Sequence, residues 1–365
     1  MEFSVASRLE QGAIIAEVTA PEADKTTQYA YYLYEKTQGV LEKRMYTGET
    51  TCSFQPPCAG QYYVRAYVRW REAGSPDYTI VAKNTKFIGI HSTKHLRYEE
   101  LEQEDFQAER GIFYDILWDG LHYEFFIQSK PKSTQAIILG TGDVGQHPRP
   151  YFSRISWANE FPCTSIYYSD PASYLPPCTL GWGYGANDRW YLKDIAVLLQ
   201  KILEKLNIRL EDTLFYGSSG GGFTAMLLAS MFRSRASVIN PQFIVENYHE
   251  SHVKLMKQAC LKEGETLIPE RTNALALFQQ TGYFPPLHVM QNIYSDRDIK
   301  TQITPFLEQL SANPMDCNGR LRLDFYADEG GHGAMPPKEA CLLQIEEDLS
   351  LPIPQPVELS PAPDR

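Results

Sequence analysis

Leu214-Phe215-Tyr216-Gly217-Ser218-Ser219-Gly220-Gly221-Gly222-Phe223-Thr224-Ala225 is the stretch that decides how this chain folds. An apolar run of strand type, 213–216, leads into Gly217 and Gly221, placed two residues before and two after Ser219. Behind them Ala225-Met226-Leu227-Leu228-Ala229 continues as a helix. G-x-S-x-G alone is a weak pattern, but between a strand and a helix it describes a sharp turn that presents a serine hydroxyl. Such a turn needs small neighbours, because the chain passes close to itself. It also sets Ser219 at a helix N-terminus, where free N–H groups favour developing negative charge. A Gly-Ser linker or a phosphate-binding turn is the competing explanation. Ser218 is the near rival as nucleophile, and it lacks the glycine spacing.

A serine hydroxyl attacks poorly until a base takes its proton. Two histidines lie far enough downstream to leave room for an acid between, His288 and His332. His288 sits in the apolar run 287–293 and reads as a strand residue. His332 stands in Glu329-Gly330-Gly331-His332-Gly333, a glycine-rich loop after the strand expected over 321–326, where a general base belongs. The acid is expected just past the preceding strand, where Ser295-Asp296-Arg297-Asp298 offers two carboxylates. Asp296, nearer the strand end, is preferred over Asp298, with Asp324 and Asp328 as fallbacks. Its role is to orient the imidazole and stabilise its cation. A tetrahedral oxyanion needs two backbone donors. One is expected from Gly220 and the other from Gly142 or Asp143 in the loop Gly140-Thr141-Gly142-Asp143-Val144. That loop lacks the Lys-Ser/Thr of a P-loop and does not fit G-x-G-x-x-G.

Outward from this core, strands over 136–139, 164–168, 236–239 and 287–294 alternate with helical patterns. Leu192, Ile195, Leu198, Leu199, Ile202, Leu203 and Leu206 recur at helical spacing, and further helices are expected near 304–310 and 337–349. The expected fold class is α/β, a doubly wound, mostly parallel sheet of the α/β-hydrolase type over residues 111–350. Residues 1–90 show short strands instead. Over 60–69, Tyr62, Val64, Ala66 and Val68 alternate with Tyr63, Arg65, Tyr67 and Arg69, the period of a half-buried strand. A small β-sandwich is expected there. Residues 91–110 are polar and acidic and read as a linker, and 351–365, with five prolines, as a loose tail.

The 365 residues suffice for two domains, and 43% hydrophobic with 22% charged residues is ordinary globular composition. A net charge of −11 repels phosphate backbones and anionic lipids, so nucleic acid and membrane surfaces are poor partners. No apolar run approaches the roughly 18 residues of a membrane helix. Met1-Glu2-Phe3-Ser4 lacks a basic n-region, so a cytoplasmic protein is expected. Seven cysteines, at 52, 58, 163, 178, 260, 317 and 341, form no C-x-x-C pair, and no metal site is expected. Cys52 and Cys58 have the spacing to meet across a hairpin, with a reduced pair expected in the cytosol.

Over about 111–345 the chain resembles α/β-hydrolase-like proteins of bacterial surface-glycan loci. These include capsule-biosynthesis proteins, capsule O-acetyltransferases and the acetyltransferase-like component of accessory secretion systems. The resemblance rests on Tyr114-Asp115-Ile116 with Trp118-Asp119-Gly120 and Tyr123-Glu124-Phe125, on Ser153-Arg154-Ile155-Ser156-Trp157, Ser169-Asp170-Pro171 and Gly181-Trp182-Gly183-Tyr184-Gly185. It rests also on Ile239-Asn240-Pro241-Gln242, Gln291-Asn292 and Gly331-His332-Gly333. It implies a triad of Ser219, Asp296 and His332 and O-acetyl transfer to a carbohydrate, with acetyl-CoA as the natural cytosolic donor. Arg154, Asp170 and Trp182 are expected either to line the substrate cleft or to form a buried polar network. The tyrosine-rich N-terminal strands resemble immunoglobulin-like triple-tyrosine modules, with roles as sugar platform, dimer contact or lid all open, as is a homo-oligomer. The rival functions are an esterase with the same triad and a non-catalytic scaffold in glycan biosynthesis or export.

Overall fold

The structure is a computed structural model. It describes all residues except 1, 11–12, 37–38, 57–59, 73–74, 91, 108–110, 187 and 354–365, so Cys58, and with it the Cys52–Cys58 pairing, and most of the proline-rich tail lie outside the described residues. The chain divides into two compact units, Met1–Ser92 and Thr93–Arg365.

In the first unit, strands Ser4–Glu10, Ala13–Thr19 and Thr51–Phe54 form one antiparallel sheet. A second runs in the order Gly39–Thr47, Gln28–Glu35, Gly60–Arg71, Tyr78–Asn84, with Ile88–Ile90 also pairing on Gly60–Arg71. Ile14, Ala16 and Val18 of the first sheet meet Tyr29, Tyr31, Leu33, Tyr62, Val64 and Val68 of the second in one core. The alternation read from 60–69 is therefore that of a strand with one face inside a sandwich.

The second unit is built on a nine-stranded sheet. Its order is Leu321–Tyr326, Leu287–Asn292, Arg235–Ile239, Thr213–Ser218, Ala136–Gly140, Thr164–Tyr168, Leu121–Gln128, Ile112–Trp118, Ser92–Arg97. The first six are parallel to one another, and Leu121–Gln128 joins antiparallel. With a Ser turn after the central strand, this is the α/β-hydrolase arrangement. The stretch expected to be a linker differs. Ser92–Arg97 extends the sheet edge and Tyr98–Gln103 forms a 3-10 turn whose Leu101 is buried.

The central strands are buried on both faces and so read as apolar runs. Helix Tyr191–Lys205 buries Leu192, Ile195, Leu198, Leu199, Ile202 and Leu203 against them, each worth about 1.5–3 kcal/mol over an exposed side chain. Helix Gly220–Met231 is buried around nearly its whole circumference. Strand C-terminal ends carry the loops holding Ser219, Asp298 and His332, the edge at which open α/β sheets place their sites.

Candidate active site

Ser219 joins strand Thr213–Ser218 to helix Gly220–Met231 at φ 54°, ψ −128°, a conformation that costs a non-glycine residue about 1–3 kcal/mol. The glycines around it answer to steric demand. A Cβ on Gly217 would lie 2.3 Å from the carbonyl oxygen of Gly221, and one on Gly221 would lie 2.5 Å from that of Gly140. Each glycine in a helix costs about 1 kcal/mol against alanine, so their presence at the helix start reflects close backbone approach. The Ser219 carbonyl accepts from the N–H groups of Gly222 and Phe223. The first-turn N–H groups of Gly220 and Gly221 have no acceptor within the helix. The Cβ position of Gly142 falls 3.6 Å from both of those nitrogens, so the 140–143 loop packs against the helix start. Val144 N–H is committed to Thr179, leaving Gly142 and Asp143 as the loop's candidate donors. The Asp143 carboxylate caps Gly145 N–H and reaches His252 at 3.3 Å.

His332 Nε2 lies 2.9 Å from Ser219 Oγ, and His332 Nδ1 lies 2.7 Å from Asp298 Oδ2. The acid at the imidazole is Asp298, which corrects the preference for Asp296. Residues 296–298 form a helical turn, and positions two apart on a helix point about 200° apart. Only one of the two can face the imidazole. Asp296 points outward, 75% exposed, and pairs with Lys300. Asp298 is 3% exposed and takes a second hydrogen bond from Ser295 Oγ at 2.6 Å. The fallbacks lie elsewhere: Asp324 pairs with His288 and Arg322, and Asp328 caps the N–H of Gly330. His288 is a buried strand residue between Asp324 and Asp348.

Two buried asparagines, which stand in the 239–242 and 291–292 motifs without an assigned role, hold the histidine loop. Asn240 Nδ2 donates to the carbonyls of His332 and Ala334, both at 3.0 Å. Asn292 Nδ2 donates to those of Asp328 and Gly331, at 2.7 and 2.8 Å. Asn292 N–H in turn donates to Asn240 Oδ1, tying the two strand ends together.

The nucleophile has further polar neighbours. Gln242, fully buried, donates from Nε2 to Ser219 Oγ at 2.8 Å, and its Oε1 accepts from Trp182 Nε1 at 3.1 Å. The Tyr248 phenol also reaches Ser219, and burial pushes it above the usual phenol range. Its ring stands edge-on to Trp182, 5.9 Å between centroids. His249, next along, is held below the usual imidazole range by burial and then by Arg297, His252 and His332.

Of the expected cleft residues, Asp170 is half-buried; desolvation raises its carboxyl, and it accepts from the N–H groups of Ala172 and Gly183. That role fixes the Pro171–Gly183 loop. Trp182, buried at φ 51°, acts on Ser219 through Gln242. Arg154 lies behind the elbow, donating to Ser218 Oγ at 2.8 Å and standing 5.5 Å from the Tyr216 ring. The buried-network alternative thus describes Asp170 and Trp182. A separate cavity of about 900 Å³, lined by Arg209, Arg233, Arg235 and Arg320, lies at the opposite ends of the strands and touches none of Ser219, His332 or Asp298. Among the described residues no three His, Cys, Asp or Glu side chains gather as a metal site, and no helix is long and apolar enough to cross a membrane.

No protein-family model and no curated protein matches the chain. Solved structures do. The capsule O-acetyltransferase of Neisseria meningitidis serogroup A is 16% identical with a TM-score of 0.46, covering 63% of this chain and 94% of its own. An S-formylglutathione hydrolase from Agrobacterium tumefaciens is 13% identical with a TM-score of 0.48, covering 66% and 94%. The glycosylation-associated Gap123 complex of Streptococcus agalactiae is 10% identical with a TM-score of 0.43, covering 95% of this chain and 63% of its own. Likenesses of this size carry no argument about chemistry.

Proposed function

We propose that the chain is a serine-dependent acyltransferase that moves an acetyl group onto a carbohydrate hydroxyl through an acyl-Ser219 intermediate. The observation that carries this reading is the unbroken relay from Ser219 Oγ through His332 to Asp298, at 2.9 and 2.7 Å. Proton transfer needs heavy-atom separations of about 2.6–3.2 Å, and both links fall within that reach. His332 takes the Ser219 proton as Oγ attacks the donor carbonyl, and buried Asp298 stabilises the resulting imidazolium. The N–H of Gly220, with Gly142 or Asp143, receives the developing oxyanion. Collapse expels the donor's leaving group, which takes its proton from His332. In the second half-reaction His332 deprotonates the acceptor hydroxyl, which attacks the acyl carbon and frees Ser219.

Acetyl-CoA as donor and a surface polysaccharide as acceptor are supported by the sequence motifs around Trp182, Asn240 and His332. Incubation with acetyl-CoA and candidate oligosaccharides tests the reading. Acetylated sugar that disappears with Ser219→Ala supports transfer. Free acetate at a rate unaffected by added acceptor replaces it with an esterase, and no turnover by a chain that no fluorophosphonate labels replaces it with a scaffold.

A further inference from the structure

The N-terminal unit carries a surface that acyl transfer does not use. In strands Gln28–Glu35 and Gly60–Arg71, alternate residues fill the sandwich core, so the residues between them stand on the opposite face. The register sets Tyr34 across from Tyr63 and Tyr32 across from Arg65. On that face Tyr34 stacks on Tyr63 with centroids 4.8 Å apart, and Tyr32 lies 4.8 Å from Tyr67. Phe87, 53% exposed, meets the Tyr63 ring edge-on.

Cations are interleaved with these rings. Lys43 lies 5.1 Å from the Tyr32 ring, and Arg65 lies 5.5 Å from that of Tyr67. Arg69 is held between Tyr46 at 3.9 Å and Tyr78 at 4.4 Å, with Gln28 Oε1 accepting from its guanidinium. Arg71 covers Tyr78 at 4.3 Å. No outward position of the two central strands is Asp or Glu. Among the described residues no carboxylate pairs with Lys43, Arg65, Arg69 or Arg71. The charge is segregated along the chain: residues 1–92 hold ten Lys and Arg against ten Asp and Glu, so the whole −11 falls in residues 93–365.

Rings packed with guanidinium groups and rimmed by phenol hydroxyls offer apolar faces to sugar C–H groups and charged donors to carboxylates. We propose that this face binds an anionic polysaccharide bearing carboxylates along its chain. That assignment names the class of acceptor for the acyl transfer above and rests on that reading for its purpose, while binding rests on the face alone. A second copy is a poor occupant, since the face against itself sets cation against cation. The −11 of the rest of the chain repels any polyanion, and nucleic acid, with a phosphate about every 3.4 Å of strand, more strongly than a polysaccharide with one carboxylate per sugar or disaccharide; oligo-dT in the test separates the two.

The test is titration of the full chain with polysialic acid and hyaluronan, with neutral dextran and oligo-dT alongside. Wild type and Ser219→Ala are expected to bind at least one acidic polysaccharide, more weakly as salt rises. Binding is expected to fall tenfold or more in the exposed double variant Arg65→Gln/Arg71→Gln, and likewise in Phe87→Ala. Circular dichroism and thermal unfolding of each variant report that the sandwich is folded, and fluorophosphonate labelling of Ser219 in wild type and the surface variants keeps the two ideas separate. A wild type that labels but binds neither acid polymer sinks the surface and leaves the catalytic reading standing, whereas binding without labelling does the reverse. Equal binding to dextran, tighter binding to oligo-dT, or affinity unchanged in both variants also overturns the proposal.

Discussion

Asp298→Asn and Asp296→Asn change one charge each, two residues apart, and they separate the triad drawn here from the one the sequence suggests. In Asp298→Asn the volume is kept, but the group 2.7 Å from His332 Nδ1 gains an amide. Ser295 Oγ and His332 Nδ1 share the one Asp298 oxygen; an amide nitrogen in that position donates to both, since the serine hydroxyl has lone pairs to accept with. Nδ1 then has to accept, the imidazole proton moves to Nε2, and the nitrogen facing Ser219 can no longer take a proton. Loss of the correct tautomer and of the buried countercharge costs about 10³–10⁴-fold in kcat, roughly 4–5.5 kcal/mol of barrier. Asp296→Asn breaks an exposed pair with Lys300, worth about 0.3–0.5 kcal/mol of stability, and leaves the rate within about twofold. The assay is hydrolysis of p-nitrophenyl acetate, with thermal unfolding as a folding control. A loss in Asp296→Asn as large as that in Asp298→Asn refutes the assignment.

Gln242→Leu removes a donor from Ser219 Oγ and leaves Trp182 Nε1 unpaired; a loss of about 1–3 kcal/mol predicts kcat/KM lower by about 5- to 150-fold, with KM for a small ester little changed. Gly217→Ala forces a methyl to 2.3 Å from backbone, so thermal unfolding should show destabilisation of about 1–3 kcal/mol or more, whereas Gly264→Ala, with open space around its Cβ but φ 83°, shows only the smaller strain of its backbone. His249 has its folded pKa depressed by burial and by the charges of Arg297, His252 and His332. The unfolded chain therefore binds more protons than the folded one between the lowered value and the ordinary 6.5. Stability is full above that ordinary value and falls as pH drops through the depressed one, so melting temperatures of His249→Gln should decline less on acidification than those of wild type.

The parts of the site legible in the sequence are those whose chemistry restricts the residue. Gly217 and Gly221 are required by backbone contacts of 2.3–2.5 Å, so the elbow shows in the pentapeptide itself. His332 shows because a glycine-rich loop follows a strand. The acid did not, because choosing between Asp296 and Asp298 needs the rotation of a short helical turn, and distance from the strand end carries no angle. Gln242 and Tyr248 act through where their loop folds, and nothing in an amide or a phenol announces that beforehand. Asn240 and Asn292 stood in motifs without a role until the loop they pin was visible. The edge strand Ser92–Arg97 was hidden by its exposure, since a half-solvated edge carries the polar composition of a linker. In the sandwich, by contrast, the period of two over 62–69 separated core from surface residue by residue.

The central claim is that Ser219 is a nucleophile driven by His332. Reaction with a fluorophosphonate, followed by peptide mass spectrometry, should place the adduct on Ser219 in wild type, with labelling abolished in Ser219→Ala and slowed by orders of magnitude in His332→Ala. An adduct on Ser218, or labelling of His332→Ala at the wild-type rate, contradicts it.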